Sequence, residues 1–259
     1  MPTIRLNNFH CFYTYEDFGN QDVLVFSNSL GTDHTMWEPQ LDILSHHFNI
    51  LRYDTRGHGQ STIEQDTLTI AELGQDVLDL LDALNLGQVH FCGLSMGGLI
   101  GQWLGINATE RFHKITLANT AAKIGTHEGW NARIAQVKEH GLESILEGTA
   151  QRWFTPSFRE NNPQTVTDIL EIFKANSLHG YMANCAAVRD ADFREELFNL
   201  EVPTLIISGL QDEVTTPQDG KYLAKRIPNA RHVQLDAAHL SNLEHSEEFA
   251  KHLLHFKEH

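Results

Sequence analysis

A short apolar run, Val89–Cys92, leads directly into Gly93-Leu94-Ser95-Met96-Gly97-Gly98 and then into the apolar stretch Leu99–Leu104. That order reads as strand, tight turn, helix, with a serine at the apex of the turn. The steric demand is narrow. A residue on so sharp a turn takes a strained backbone conformation, and side chains two positions to either side would collide. Glycine stands at both of those positions. Ser95 is therefore read as a hydroxyl presented at a strand end, with the backbone N–H of Met96 opening the helix beside it.

The rest of the chain supplies a frame for such a turn. Thr3–Leu6 and Phe12–Tyr15 read as a hairpin around Asn7-Asn8, and Val23–Ser27 and Phe48–Tyr53 as compact buried strands. Ile70–Leu84 carries apolar residues at helical spacing. Lys114–Leu117, Thr204–Ser208 and His232–Leu235 complete a set of eight predicted strands. Strands alternating with helices imply an α/β class with a mostly parallel sheet covered on both faces. Between about 122 and 200 the strand pattern stops, and amphipathic stretches appear around Trp130-Ile134-Val137, Leu142-Leu146 and Val166-Phe173. The last opens at Asn162-Pro163, an expected N-cap followed by proline. The expected division is a core from 1–121 and 201–259 with a helical cap from 122–200. No internal repeat is visible.

An exposed serine hydroxyl is a weak nucleophile without a base that is held in turn by an acid. For a nucleophile elbow the acid and then the base follow the serine in the chain. Asp212 follows one predicted strand in Ser208-Gly209-Leu210-Gln211-Asp212, and His239 follows the last in Leu235-Asp236-Ala237-Ala238-His239. Both stand just past strand carboxyl ends, where such sheets bind ligands. Glu213, Asp236, His58, His232 and His245 are rivals with less suitable positions. The oxyanion that forms on attack needs two backbone donors. Met96 N–H is one, and Leu30 N–H, in the loop Asn28–Thr32, is the expected second. Asp54–Ser61 is a glycine-rich turn in which His58 has a structural role, and Cys92 is a buried strand residue rather than a rival nucleophile.

Composition removes other classes. A formal net charge of -15 repels phosphate backbones, so nucleic acid is not an expected partner. No apolar stretch reaches the roughly eighteen residues of a membrane span. The first ten residues lack a signal-peptide pattern, and three dispersed cysteines give no disulfide framework, so a cytoplasmic location is expected. Sixteen histidines invite a metal reading, but no ligand spacing such as His-Glu-x-x-His occurs, and His46-His47 reads as a solvated pair. No metal and no cofactor are expected.

Taken with Ser27-Asn28-Ser29-Leu30-Gly31-Thr32-Asp33, Met36-Trp37, Arg52-Tyr53-Asp54-Thr55-Arg56-Gly57-His58-Gly59, Gly209 and Pro217, the elbow resembles the α/β-hydrolase superfamily with a helical cap. More narrowly, these stretches resemble 3-oxoadipate enol-lactonases. The Ser-Asn-Ser-Leu-Gly stretch is the specific part. The resemblance implies hydrolysis of a small anionic enol lactone to 3-oxoadipate in bacterial breakdown of aromatic compounds. It implies Ser95 as nucleophile, Asp212 as acid and His239 as base. The substrate carboxylate then needs a cation, for which the cap offers Lys123, Arg133, Lys138, Arg152, Arg159, Lys174 and Arg189. Arg133 is the expected choice, with Trp130 and Trp153 as pocket walls. A carboxylesterase or a cofactor-free perhydrolase of the haloperoxidase type would share the triad. A ligand receptor on the same fold is a third reading.

Overall fold

One sheet of eight strands organises the chain: β1 (Thr3–Leu6), β2 (Phe9–Glu16), β3 (Val23–Ser27), β4 (Asn49–Tyr53), β5 (Val89–Leu94), β6 (Phe112–Ala118), β7 (Thr204–Gly209) and β8 (Ala230–Leu235). The computed structural model describes residues 2–259, and Met1, the first residue of the expected core, lies outside them. The strand order is β1-β2-β4-β3-β5-β6-β7-β8. The first hairpin is antiparallel and joins β4 antiparallel through β2, and every later pairing is parallel. Strands β3, β4, β5 and β7 are buried at every residue, as a sheet covered on both faces requires.

The helices are α1 (Glu38–Leu44), α2 (Ile70–Ala83) and α3 (Met96–Asn107), then α4 (His127–His140), α5 (Leu146–Trp153), α6 (Pro156–Asn161), α7 (Pro163–Ala175) and α8 (Leu178–Asp190), and finally α9 (Pro217–Arg226), α10 (Ser241–Glu244) and α11 (Ser246–Glu258). Register separates the two helical layers. Phe26 of β3 stacks on Trp37, which meets Phe249 of α11, so α1 and α11 cover that face. Phe91 stands opposite Val25 rather than Phe26, hence on the other face, where it meets α3 at Gly101. Helix α2 packs on α3 and starts at a capping box formed by Thr69 and Glu72.

The described residues between β6 and β7 form helices α4 to α8 and no strand. This is the inserted helical region. It holds five helices where three amphipathic stretches were expected. Helix α8 escapes the periodicity test because it is buried on most sides, at Gly180, Tyr181, Ala183, Asn184, Cys185, Ala187 and Val188. Asn162 is the N-cap of α7 and Pro163 opens the helix, as expected, although the Asn162 side chain makes no capping bond. The chain runs from β3 outward to β4 and then crosses to β5 on the other side. The carboxyl ends of β3 and β5 thus flank a reversal in strand order, the place where open parallel sheets hold ligands. No helix among the described residues is long and apolar enough to cross a membrane.

Candidate active site

Ser95 sits between β5 and α3 with φ 58 and ψ -110, a conformation that side chains other than glycine rarely adopt. The turn needs its glycines for contact reasons. A Cβ on Gly93 would stand 2.0 Å from the Gly97 carbonyl oxygen, and one on Gly97 would stand 2.2 Å from that of Ser27. Ser95 N–H donates to Ala118 O at 2.9 Å, and Thr120 Oγ1 donates to Ser95 O at 2.8 Å, so neighbouring strand β6 holds the turn. The first-turn N–H of Met96 has no intrahelical acceptor. Leu30 N–H has no acceptor among the described residues either.

His239 follows β8 and is buried. Its Nδ1 lies 2.8 Å from Asp212 Oδ2. Asp212, past the end of β7, is ringed by donors. Val214 N–H and Thr215 N–H donate to Oδ1 at 2.8 and 3.0 Å, and Thr215 Oγ1 and Asn119 Nδ2 donate to Oδ2 at 2.8 and 3.0 Å. Burial alone would raise its pKa. The His239 charge, its hydrogen bond and those from Asn119 and Thr215 outweigh burial and hold the carboxyl below its ordinary value. The carboxylate thus stays ionised and fixes the ring by Nδ1, leaving Nε2 for other work.

One cavity brings the pieces together. Ser29, Leu30, Ser95 and His239 line it from the sheet side, with Ile124, Trp130, Arg133, Arg152, Trp153, Val188 and Val214 around them. Ser95 and His239 share this wall without a hydrogen bond between them, a contact that commonly tightens only when substrate is bound. Both tryptophans line this cavity, and Trp130 Nε1 donates to Ile124 O at 2.7 Å. Asp236, His232 and His245 lie elsewhere, bonded to Gln211, Ser208 and the Asp236 carbonyl. Cys92 is buried, and burial pushes its thiol well above the usual range, which disfavours a thiolate.

The charge pattern sharpens the choice of cation. Lys123, Lys174 and Arg189 are in ion pairs with Asp192, Glu143 and Asp190. Arg133 lines the cavity but is partly engaged, donating from Nε to Tyr181 Oη at 2.7 Å. Arg152 lines the same cavity, and its guanidinium has no hydrogen-bond or ion-pair partner among the described residues. Burial and the neighbouring Arg133 charge push its pKa down. An unpartnered, half-buried guanidinium beside a second one calls for an anion. Choosing Arg133 alone missed this, because periodicity places α5 in the cap without saying which of its faces meets the serine. Asn119 was missed too. It stands just past β6 with φ 42, a conformation asparagine tolerates.

Comparison with known proteins agrees with this geometry. Residues 22–246 match the family model for the α/β hydrolase fold. The chain is 46% identical over 230 residues, 89% of its length and 86% of the relative's, to 3-oxoadipate enol-lactonase 1 of Acinetobacter baylyi. It superposes on the crystal structure of the enol-lactonase from Burkholderia xenovorans with a TM-score of 0.97 and 41% identity, covering 100% of both chains. The chain belongs to the 3-oxoadipate enol-lactonase family of α/β-hydrolases. A hydrolase from Pseudomonas aeruginosa is similar as well, with a TM-score of 0.95 and 39% identity over 98% of this chain and 97% of that one. The most specific part of the enol-lactonase resemblance is Ser27–Gly31, and two residues of that stretch, Ser29 and Leu30, are cavity wall.

Proposed function

We propose that this chain opens 3-oxoadipate enol-lactone to 3-oxoadipate through an acyl-enzyme on Ser95, in the breakdown of aromatic compounds. His239 Nε2 takes the Ser95 proton as Oγ attacks the ring carbonyl carbon. The carbonyl oxygen becomes an oxyanion held by the N–H groups of Leu30 and Met96. Collapse breaks the bond from that carbon to the ring oxygen, which leaves as an enolate, takes the proton from His239 and rearranges to the ketone. Water, deprotonated by His239, then attacks the ester on Ser95, and the serine regains its proton. Asp212 keeps the imidazole oriented throughout. Trp130 and Trp153 wall the ring, and Arg152 with Arg133 holds the carboxylate. Residues 122–200 serve as the cap over a core of 1–121 and 201–259. The three cysteines are free and buried, which supports a reducing, cytoplasmic setting.

The observation that carries this reading is the meeting of Ser95, His239 and two guanidiniums in one cavity of a chain whose formal charge is -15. Against such a background, cations at a hydrolytic centre select an anionic substrate. Steady-state kinetics on the enol lactone beside p-nitrophenyl acetate test it. The expected result is a strong preference for the lactone. Arg152→Leu is expected to raise KM for the lactone by about 10- to 100-fold, the worth of a charge-assisted hydrogen bond, and to leave the neutral ester unchanged. A preference for the neutral ester, with the lactone unaffected by Arg152→Leu, overturns the assignment in favour of a general carboxylesterase.

A further inference from the structure

The loop from β3 to α1 contains a residue gripped from both sides. Gly31 N–H donates to His58 Nε2 at 2.9 Å, and Gly31 C=O accepts from Asn176 Nδ2 at 2.9 Å. His58 comes from the glycine-rich turn after β4, and Asn176 from the inserted region, just past α7. Both side chains are buried. Asn176 Oδ1 also accepts Gly59 N–H at 3.2 Å, so one amide ties the two loops to the end of α7. Thr32 N–H donates to Ser29 O at 3.1 Å, which closes a turn with Leu30 and Gly31 at its centre. Gly31 has φ +89, the pattern of a type II turn. The central peptide of such a turn can flip unless something holds it. Here its N–H points at His58, and the Phe173 ring lies so close that a Cβ on Gly31 would stand 2.4 Å from it.

We infer that His58 and Asn176 are positioning residues for the Leu30 N–H, fixing the turn from which it points. This rests on Leu30 as an oxyanion donor. The role requires His58 to act as an acceptor, hence to be neutral, and burial keeps it so by lowering its pKa to about 4. It also requires the inserted helices to take part in the chemistry and not only to cover it. The amide that sets the Gly31 carbonyl belongs to them, so displacing α7 releases the turn. Neither residue touches substrate. Each acts through the backbone of Gly31.

The test uses the full chain with His58→Leu, His58→Gln and Asn176→Asp. Leucine removes the acceptor, glutamine restores one at similar reach, and aspartate replaces the donor to Gly31 O with a second acceptor. Kinetics on the enol lactone are read beside inhibition by phenylboronic acid, whose tetrahedral adduct on Ser95 needs the oxyanion donors. His58→Leu and Asn176→Asp are expected to lower kcat about 10- to 100-fold, less than or equal to the loss of a donor outright. KM should hold within about twofold, and the inhibitor should weaken by the same factor as kcat. His58→Gln should retain most of the activity. If His58→Leu does not fold, Asn176→Asp carries the same expectation. Unchanged kcat in Asn176→Asp, or a fall in kcat without weaker boronate binding, overturns the inference. Absence of lactone turnover in the unsubstituted chain counts against the proposed reaction instead, and the boronate comparison still decides the positioning role.

Discussion

Asp212 and His58 are both buried, and burial pushes each toward neutrality; the neighbouring groups outweigh burial at Asp212 and fall short of it at His58. Asp212 collects donors and a neighbouring imidazole, and stays ionised. At His58 burial prevails: the Arg56 backbone and the Asp54 carboxylate favour a proton on the ring, yet the pKa drops from 6.5 to about 4, and Nε2 accepts from Gly31 N–H. That shift has a sign in stability. Between pH 4 and 6.5 the unfolded chain binds a proton at residue 58 that the folded chain does not. Stability linked to His58 therefore rises with pH through that window and is lost as pH falls through it. Urea unfolding of wild type and His58→Gln at pH 7 and pH 4.5 isolates the term, because other titrating groups cancel in the difference. Wild type is expected to lose about 2–3 kcal/mol more than the variant on acidification. Equal losses would mean that position 58 is solvated or already protonated. A histidine in a glycine-rich turn was legible in the sequence as structural. Its partner in the Asn28–Thr32 loop was not, since nothing local links two turns 27 positions apart.

The elements divide by how much of their environment is written in their own residues. The compact runs at Val23–Ser27 and Thr204–Ser208 are strands because both faces are covered, and their composition says so. Helix α2 shows its apolar stripe and its capping box. The Ser95 turn is legible because its glycines answer a local steric demand. Helix α8 was not legible. It mixes Tyr181, Asn184 and Cys185 with small residues, and its burial comes from helix α4 and the turn after β4. Gly180 marks that approach: a Cβ there would stand 2.2 Å from the Gly57 carbonyl oxygen. Helix propensity alone makes Gly180→Ala stabilising by about 1 kcal/mol. Close backbone contact reverses the sign, and overpacking of this kind costs about 1–3 kcal/mol. A lowered urea midpoint with an unchanged m-value is expected, together with loss of activity as α8 moves off the turn. A raised midpoint would show that α8 does not press on residue 57.

At the scale of the whole molecule, the sheet order explains where the site is, and under the proposed function the insertion sets what it accepts. The reversal between β3 and β5 opens a crevice at their carboxyl ends, and the Leu30 loop and Ser95 sit at its two sides. The inserted helices bring Arg133, Arg152, Trp130 and Trp153 over it. They are bonded to the loops on both flanks, through Asn176 to Gly31, through Trp153 O to Leu240 N–H at 3.0 Å, and through Thr155 to Glu244, which also accepts Ala238 N–H at 2.9 Å. Sequence order alone could align Ser95, Asp212 and His239 with strand ends, because the sheet imposes that order. It could not orient the cap, because helix-to-helix packing sets which arginine faces inward. The reading depends above all on Ser95 being the attacking atom. Hydrolysis of the enol lactone by the purified chain and by Ser95→Ala, measured side by side, tests that directly. The expected result is turnover by the wild type and a loss of at least about 10⁴-fold in kcat for the variant. Turnover by Ser95→Ala within about tenfold of wild type would contradict it, since donors and binding alone supply far less than a nucleophile does.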